Sequence, residues 1–480
     1  MKSIFTTTLF FFICLSLNAQ QWVDTTFSIA SFLDIEYGTV TDFAGNERSL
    51  KMDISVPIGD TIPVCGRPLM VVIHGGAFIA GSKEAGFLGR FRADFAKRGY
   101  VTASINYRLG MFHTSSNVHC NVPVWDCYNV ADTSEWFRAM YRGVQDAKGA
   151  IRYLINRADE YHIDPENVFL AGESAGAVIT LATAFLDTPE EVPQDIHELP
   201  SVSPPHNVYE GQCIQGFNLD TSINSMQFNR ADLGSLDGPL NPSETEFRIR
   251  GVGSFYGAMF GNLFEFNADT IFPAVYLFHQ PNDLIVPFNY GRLLAGYAYC
   301  TVTSAGCVYI VNRPFVYGSK GIAGLIDTLV ANGQPAPEYL FEQTNNNANC
   351  LLQATNQSLA GHALDNYWLR SRNLAAFFAD KVDTSNPCLI NQQENIKPVK
   401  GPKVYPNPAT QVVTIEMPES ESLQYVQLMD LTGKEVFTQI IDNGELLNSI
   451  NLSDHLAPGM YVLVMKTERY RYVEKLLVNR

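Results

Sequence analysis

The sequence is poor in charge, and poorest in positive charge. Of 480 residues only 17% are charged, and 33 Lys and Arg stand against 49 Asp and Glu, a net −16. That balance argues against a nucleic-acid partner, because there is no basic surplus to displace counterions from phosphates. It argues equally against adsorption to an anionic membrane surface. After the first twenty residues no apolar run is long enough to span a bilayer. There is no C-x-x-C pair and no H-x-x-x-H cluster, so no metal site is expected. No long internal repeat occurs, and no low-complexity tract beyond Asn345-Asn346-Asn347, which removes solenoids and propellers. What is present is apolar: 46% hydrophobic and 12% aromatic residues suffice for a sizeable core, and the length allows about three domains.

The N-terminus has the pattern of a secretory signal peptide over residues 1–19. Lys2 supplies the positive charge, Leu9 to Leu17 the apolar run, and Leu17-Asn18-Ala19 the cleavage site, leaving Gln20 first. Cys14 as a lipidation site is the alternative, but Leu15, Ser16 and Leu17 carry the apolar run past it. Removing the signal leaves Cys65, Cys120, Cys127, Cys213, Cys300, Cys307, Cys350 and Cys388. An even number in an exported chain favours disulfides. Cys120/Cys127 and Cys300/Cys307 are near enough to close small loops; Cys350/Cys388 and Cys65/Cys213 follow by elimination.

From Pro68 to about Asp380 short apolar runs alternate with helical periodicity, which predicts an α/β domain with a doubly wound, mostly parallel sheet. Pro68–Ile73, Tyr100–Ile105, Val168–Ala171, Cys213–Leu219 and Ala274–Phe278 read as strands. Val144, Ala147, Ile151, Leu154 and Ile155 recur at helical spacing, Ala175–Leu186 reads as a second helix, and Asp164-Pro165-Glu166-Asn167 as a turn. This domain is assigned 20–390. Residues 391–403 lose their large apolar side chains and read as a linker. Residues 404–480 alternate apolar and polar positions over Val412–Met417, Tyr425–Met429, Tyr461–Lys466 and Tyr472–Val478, which predicts a small all-β sandwich.

Gly172-Glu173-Ser174-Ala175-Gly176 lies between a predicted strand and a predicted helix, the context that a G-x-S-x-G nucleophile elbow requires. Small neighbours let Ser174 adopt a strained turn; the competing reading is a helix N-terminus capped by a serine. His74-Gly75-Gly76-Ala77-Phe78 follows the first buried strand, where a glycine-rich turn can bring backbone N–H groups close to an oxyanion; a plain Gly-Gly turn is the alternative. His74 itself reads as organising that loop. A serine nucleophile needs a base, and in this chain order the acid precedes it. Of the later histidines His197, His206, His279, His362 and His455, the one in Leu359-Ala360-Gly361-His362-Ala363 stands at the end of the region and is favoured. His279 ends a strand just before the acid and reads as a supporting or core residue. The acid is Asp283, on the loop after Ala274–Phe278, with Asp220 as runner-up.

These motifs, with Asn106-Tyr107-Arg108-Leu109-Gly110 and Asp164-Pro165-Glu166-Asn167-Val168, resemble the α/β-hydrolase superfamily, in its esterase/lipase branch near carboxylesterase type B. The resemblance covers about Asp34 to Lys381. It implies Ser174, Asp283 and His362 as catalytic triad and the N–H groups of Gly76, Ala77 and Ala175 as oxyanion hole. An aspartate at 283, where type B enzymes commonly carry glutamate, moves the chain toward hormone-sensitive-lipase-like and feruloyl-esterase-like relatives. The C-terminal segment resembles the sorting domain of the type IX secretion system of Bacteroidota, through Val404-Tyr405-Pro406-Asn407-Pro408, Asp430-Leu431-Thr432-Gly433-Lys434, Leu456-Ala457-Pro458-Gly459-Met460-Tyr461 and Lys475-Leu476-Leu477-Val478-Asn479-Arg480; a carbohydrate-binding sandwich is the alternative.

The expectation that follows is a secreted or cell-surface serine ester hydrolase that needs no cofactor and no metal. It would act on a small-molecule or polymeric ester and engage the type IX machinery through residues 404–480. Two other readings stand beside it: a catalytically silent α/β-hydrolase used for binding, and a serine peptidase on the same fold. Substrate pockets would lie in Met111–Trp136, Thr188–Tyr209 and Tyr290–Cys350, where Phe112, Trp125, Tyr128, Trp136, Tyr297 and Tyr299 are candidate lining or packing residues.

Overall fold

The computed structural model describes residues 21–59, 62–111, 133–202, 228–264, 272–296, 313–344, 360–383, 402–417, 422–430, 434–441, 446–452, 456–467 and 471–479. The sheet begins with an antiparallel hairpin of β1 (Ser28–Thr41) and β2 (Glu47–Ile58). The Asp42 carboxylate closes its turn by accepting the N–H groups of Ala44 and Asn46. Then come β3 (Arg67–Ile73), helix α1 (Leu88–Lys97), β4 (Val101–Ile105), the long α2 (Thr133–Ile155), the short α3 (Ala158–Tyr161), β5 (Ile163–Glu173) and α4 (Ala175–Phe185). A two-stranded ribbon of β6 (Leu199–Val202) and β7 (Phe228–Arg230) leads to β8 (Ile249–Phe255), followed by β9 (Ala258–Met259), β10 (Ala274–His279), β11 (Tyr290–Arg292) and β12 (Phe315–Gly318). The domain ends with α5 (Ser319–Ala331), β13 (Tyr339–Gln343) and α6 (Tyr367–Ala379).

The strand order is β1-β2-β4-β3-β5-β8-β10-β13, parallel from β4 to β13 and antiparallel at the β1 and β2 end. Alternate residues of each strand feed opposite cores. Met70, Val72, Phe169, Ala171, Tyr276 and Phe278 pack with α1 and α6, whereas Leu69, Val71, Ile73, Leu170, Val275 and Leu277 join the core that holds α2 and α4. Burial on both faces explains why these strands read as continuous apolar runs. The winding reverses at β3: β4 lies on one side of it and β5 on the other, so the loops leaving β3 and β5 diverge over a crevice.

The strand between β5 and β10 is β8, Ile249–Phe255, which sequence reading passed over; the Cys213–Leu219 run proposed there lies outside the described residues, as does Asp220. Gly251 and Gly253 are what disguise β8. A Cβ on Gly251 would stand 3.0 Å from the Phe378 ring and one on Gly253 2.9 Å from Leu374, so α6 packs directly on the β8 backbone at these two positions. The turn expected at Asp164–Asn167 is a bulge within β5. Pairing jumps from Pro68↔Asp164 to Leu69↔Val168, and Asp164 Oδ1 accepts the Glu166 N–H.

Beyond residue 401 the described residues are all-β: β14 (Lys403–Tyr405), β15 (Val412–Glu416), β16 (Leu423–Met429), β17 (Glu435–Ile440), β18 (Leu447–Asn451), β19 (Gly459–Thr467) and β20 (Arg471–Val478). The strands form two layers, β14-β15-β18 and β17-β16-β19-β20, with Val413, Ile415, Ile450, Val426, Leu428, Leu463 and Leu476 buried. The second layer is not separate from the first domain. Tyr472 and its neighbours pair antiparallel with β1, Ile29↔Val473 and Ser31↔Arg471, giving one twelve-stranded sheet. Cys65 is disulfide-bonded; the other cysteines, and hence the expected pairings, lie outside the described residues. Among the described residues no helix is long and apolar enough to cross a membrane.

Candidate active site

β5 turns into α4 through Gly172-Glu173-Ser174-Ala175-Gly176, and the turn is tight enough to strain its centre. Ser174 sits at φ 52°, ψ −123°, a conformation that costs an L-residue on the order of 1–3 kcal/mol. Packing holds it there. The Ser174 N–H donates to Phe255 O at 3.0 Å. A Cβ on Gly176 would collide with the carbonyl oxygens of Ile73 and His74, and one on Gly172 with the carbonyl of Gly176. The two glycines therefore let α4 start against the end of β3. The capping alternative fails, since the Ser174 side chain makes no bond to the helix it precedes.

Instead Ser174 Oγ lies 2.8 Å from His362 Nε2, and His362 Nδ1 lies 2.7 Å from Asp283 Oδ2. The three residues come from three segments above the same end of the sheet, and cross-ties fix two of these to each other. Leu284 N–H donates to Ala360 O at 2.9 Å, and Gln280 Nε2 to Ala363 O at 2.6 Å. Asp283 is fully buried, and its carboxylate is saturated. Oδ1 accepts the N–H groups of Ile285 (2.7 Å) and Val286 (3.0 Å), and Oδ2 faces both His362 and His279 Nε2 at 3.0 Å. Burial pushes this carboxyl up, but the positive charge of His362 and the bonds from His279 and His362 outweigh it, so Asp283 titrates below the usual carboxylate range.

The turn after β3 is built around His74. Its Nδ1 bonds to Gly75 O at 2.7 Å, its ring stacks on Tyr107 with centroids 4.4 Å apart, and Tyr107 Oη donates to His74 O at 3.0 Å. Burial pulls the imidazole down to about 4, against the pull of the Gly75 bond. His74 is thus a neutral brace. Gly76, Ala77 and Phe78 follow with φ of 108°, 53° and 63°, a run of left-handed residues of the kind that gathers successive backbone N–H groups into a concave anion-binding turn. No loop hydrogen bond engages the N–H of Gly76 or Ala77 among the described residues. Ala175 is the first residue of α4, where N–H groups lack an intrahelical acceptor. The Asn106–Gly110 segment locks this turn to α2: Arg108 Nε lies 2.9 and 3.0 Å from the two oxygens of buried Asp146, and Gly110 N–H donates to Phe78 O at 2.8 Å.

Two residues at the site escaped sequence reading. Glu173 is half-buried beside the nucleophile and receives the Tyr256 hydroxyl at 2.7 Å. Tyr256 in turn lies edge-on to His362 with centroids 4.6 Å apart. Burial raises the Glu173 carboxyl, with the Tyr256 bond, the His362 charge and the Gly75 N–H pulling it partly back. Burial also holds the Tyr256 hydroxyl well above its ordinary range, beside the Glu173 charge. Glu173 was visible only as a variable position of the motif, and Tyr256 follows the strand that went unread. His279 stands where expected, against Asp283. Of the candidate pocket aromatics only Trp136 is described; it is buried and packs edge-on to Phe78, in the core. Among the described residues no three His, Cys, Asp or Glu side chains gather as a metal site. Chemically the arrangement puts an imidazole within hydrogen-bond reach of a hydroxyl and a carboxylate behind that imidazole, the geometry in which a base can take up a hydroxyl proton.

Residues 52–121 and 132–218 match the BD-FAE family model, and residues 403–479 match the secretion system C-terminal sorting domain. Over these residues the chain is similar to the BD-FAE family of α/β-hydrolase esterases, and its β-rich part to the sorting domain of the type IX secretion system. The chain is 33% identical over 145 residues to bile salt-activated lipase of Bos taurus, covering 29% of this chain and 22% of the lipase. It is 28% identical over 159 residues to the probable isoprenylcysteine alpha-carbonyl methylesterase ICMEL1 of Arabidopsis thaliana, covering 33% and 26% of the two chains. The matches thus span about a quarter or less of these curated relatives. Among solved structures, a truncated carbohydrate esterase from gut microbiota aligns over 75% of this chain and 98% of its own at 14% identity and TM-score 0.40. Thermogutta terrifontis esterase 2 aligns over 72% and 92% at 17% identity and TM-score 0.36.

Proposed function

We propose that a chain joining a BD-FAE domain to a type IX sorting domain works as an exported serine carboxylic-ester hydrolase. The observation that carries the reading is the relay Ser174 Oγ–His362 Nε2–Asp283 Oδ2, with bonds of 2.8 and 2.7 Å, on a serine held at φ 52°. In this mechanism His362 Nε2 takes the Ser174 proton as Oγ attacks the ester carbonyl carbon. The oxyanion that develops is met by the N–H groups of Gly76, Ala77 and Ala175. Collapse expels the alcohol, which leaves with the proton returned by His362, and Ser174 is left acylated. Water then repeats the sequence: His362 removes its proton, the hydroxide oxygen attacks the acyl carbon, and Ser174 Oγ departs with the proton. Asp283 holds the Nδ1–H tautomer and stabilises the imidazolium without itself taking the proton.

In the same reading residues 1–19 direct export, and residues 403–479 are what the type IX secretion machinery engages, so the substrate is an ester met outside the cell. The test is hydrolysis of p-nitrophenyl acetate, butyrate, octanoate and palmitate by the full-length protein beside Ser174→Ala. We expect turnover by the wild type, and a loss of about 10⁴-fold or more in the variant. Mass spectrometry should place a fluorophosphonate label on Ser174. A variant that keeps wild-type turnover, or a folded wild type that neither turns over nor labels, removes the proposal.

A further inference from the structure

Asp283 Oδ2 is shared by two imidazoles, of which the proposed mechanism uses one. His279, fully buried at the end of β10, brings Nε2 to 3.0 Å from that oxygen. Its Nδ1 faces the start of α5, where Ser319 Oγ stands at 3.0 Å and the Ser319 backbone N–H donates to Nδ1 at 3.4 Å. A backbone N–H only donates, so Nδ1 presents its lone pair and the ring proton sits on Nε2, pointed at Asp283.

The support behind this ring is rigid. Gly318 N–H donates to Asn289 O and Lys320 N–H to Phe288 O, at 2.5 and 2.9 Å, which pins the start of α5 to the acid loop. A Cβ on Gly318 would collide with the carbonyl of Pro287. Phe288 closes the remaining side of the His279 ring, edge-on with centroids 5.7 Å apart. α5 runs thirteen residues from Ser319, so the positive end of its dipole faces Nδ1 and opposes a second proton there.

We infer that His279 is a positioning residue: a neutral imidazole locked in its Nε2–H tautomer that fixes the catalytic carboxylate from behind, so that of the two histidines on Asp283 only His362 takes up a proton during turnover. The inference rests on the hydrolase reading for its kinetic consequence but not for its geometry. The titratable groups facing this pair are few. Asp283 faces His279, His362 and, across the site, Tyr256, while Glu173 acts on His362 from the elbow. Without the His279 donor, Oδ2 carries more charge toward His362 and the carboxylate gains freedom to rotate. The acid limb of kcat/KM then moves to higher pH, and kcat falls.

The test compares wild type, His279→Leu, His279→Gln and Ser319→Ala in the full-length protein. Gln restores an N–H at the Nε2 position, so it should recover most of the loss. For His279→Leu we expect kcat to fall about tenfold, the equivalent of one pK unit of coupling between Asp283 and His362. KM for p-nitrophenyl acetate should stay near the wild-type value, and the acid limb should shift upward. A folded His279→Leu with wild-type kcat and pH profile overturns the inference. A reading independent of turnover, and of whether the Leu variant folds, is ¹⁵N-edited NMR of the wild-type histidine rings. His279 should show the Nε2–H tautomer in the active enzyme; an Nδ1–H tautomer or a doubly protonated ring overturns it. If Ser174→Ala matches wild type in rate, the hydrolase reading fails while the NMR result still decides this one.

Discussion

The Tyr256 hydroxyl donates to Glu173 Oε2 at 2.7 Å while its ring packs in an edge-to-face arrangement with the imidazole of His362. The residue before the nucleophile and the residue after β8 thus form one brace beside the base. Tyr256→Phe keeps the ring and removes the donor, leaving the half-buried Glu173 carboxylate one partner short. The expected cost is about 1–3 kcal/mol in urea unfolding at pH 8. It should shrink at pH 5, where Glu173 is protonated more readily. A loss of equal size at both pH values would mean that the Glu173 charge is not what the hydroxyl serves.

Glu173→Gln probes the same brace from the other side. Burial raises the folded-state pKa of Glu173 above its unfolded value. The folded state therefore binds the extra proton, and stability is greatest below the unfolded pKa and falls as pH rises through the folded one. Gln carries no such penalty while still accepting from Tyr256. The melting-temperature difference, variant minus wild type, should become more positive from pH 4 to pH 8. A flat difference contradicts the raised carboxyl.

Asp283 has the opposite sign. Its folded-state pKa is lowered, so its contribution is present above the unfolded carboxylate value and disappears as pH falls through the folded one. Asp283→Asn should therefore melt lower than wild type at pH 7, with the gap closing on acidification below about pH 4. Its amide favours the wrong tautomer of His362, and kcat should drop about 10⁴-fold. Near-wild-type kcat at pH 7 would remove Asp283 from the relay.

Much of this was legible in the sequence, and the limits have physical causes. β3, β4, β5 and β10 announce themselves because burial on both faces demands unbroken apolar residues. The spacing of Gly172, Ser174 and Gly176 reflects a steric demand that only small residues meet. Val412–Glu416 and Tyr461–Lys466 betray their two-sided environment by alternation. β8 was unreadable for the converse reason: Gly251 and Gly253 yield their space to Leu374 and Phe378, so the packing partner, distant in sequence, carries the apolar bulk. Tyr256 was hidden with it. The β1–β20 pairing leaves no local trace, since backbone groups make it and any extended strand offers those.

The β8–α6 contact gives a test of that explanation. Gly253→Ala puts a methyl against Leu374 and should cost about 1–3 kcal/mol by overpacking. Adding Leu374→Ala removes the obstacle, so the double variant should lose less than the sum of the two singles in a thermodynamic cycle. Because α6 starts five residues after His362, turnover should follow the same pattern of loss and partial recovery. Additive losses would place the constraint on Gly253 elsewhere.

The joint between the two domains is narrow. Three residue pairs connect β1 to β20, at Ile29, Ala30 and Ser31, and backbone hydrogen bonds of that kind are each worth only about 0.5–1.5 kcal/mol net. Calorimetry of the full-length protein should therefore resolve two transitions, one for each domain. Deleting residues 402–480 should lower the hydrolase transition by only a few degrees, at about 2–4 °C per kcal/mol for a domain of 150 residues or more. It should also bare the β1 edge, where Ile29 and Ala30 are buried in the full chain, and promote self-association detectable by size-exclusion chromatography with light scattering. A single cooperative transition, or a truncated domain that melts far below the full chain, would show that the sorting domain is part of the hydrolase fold.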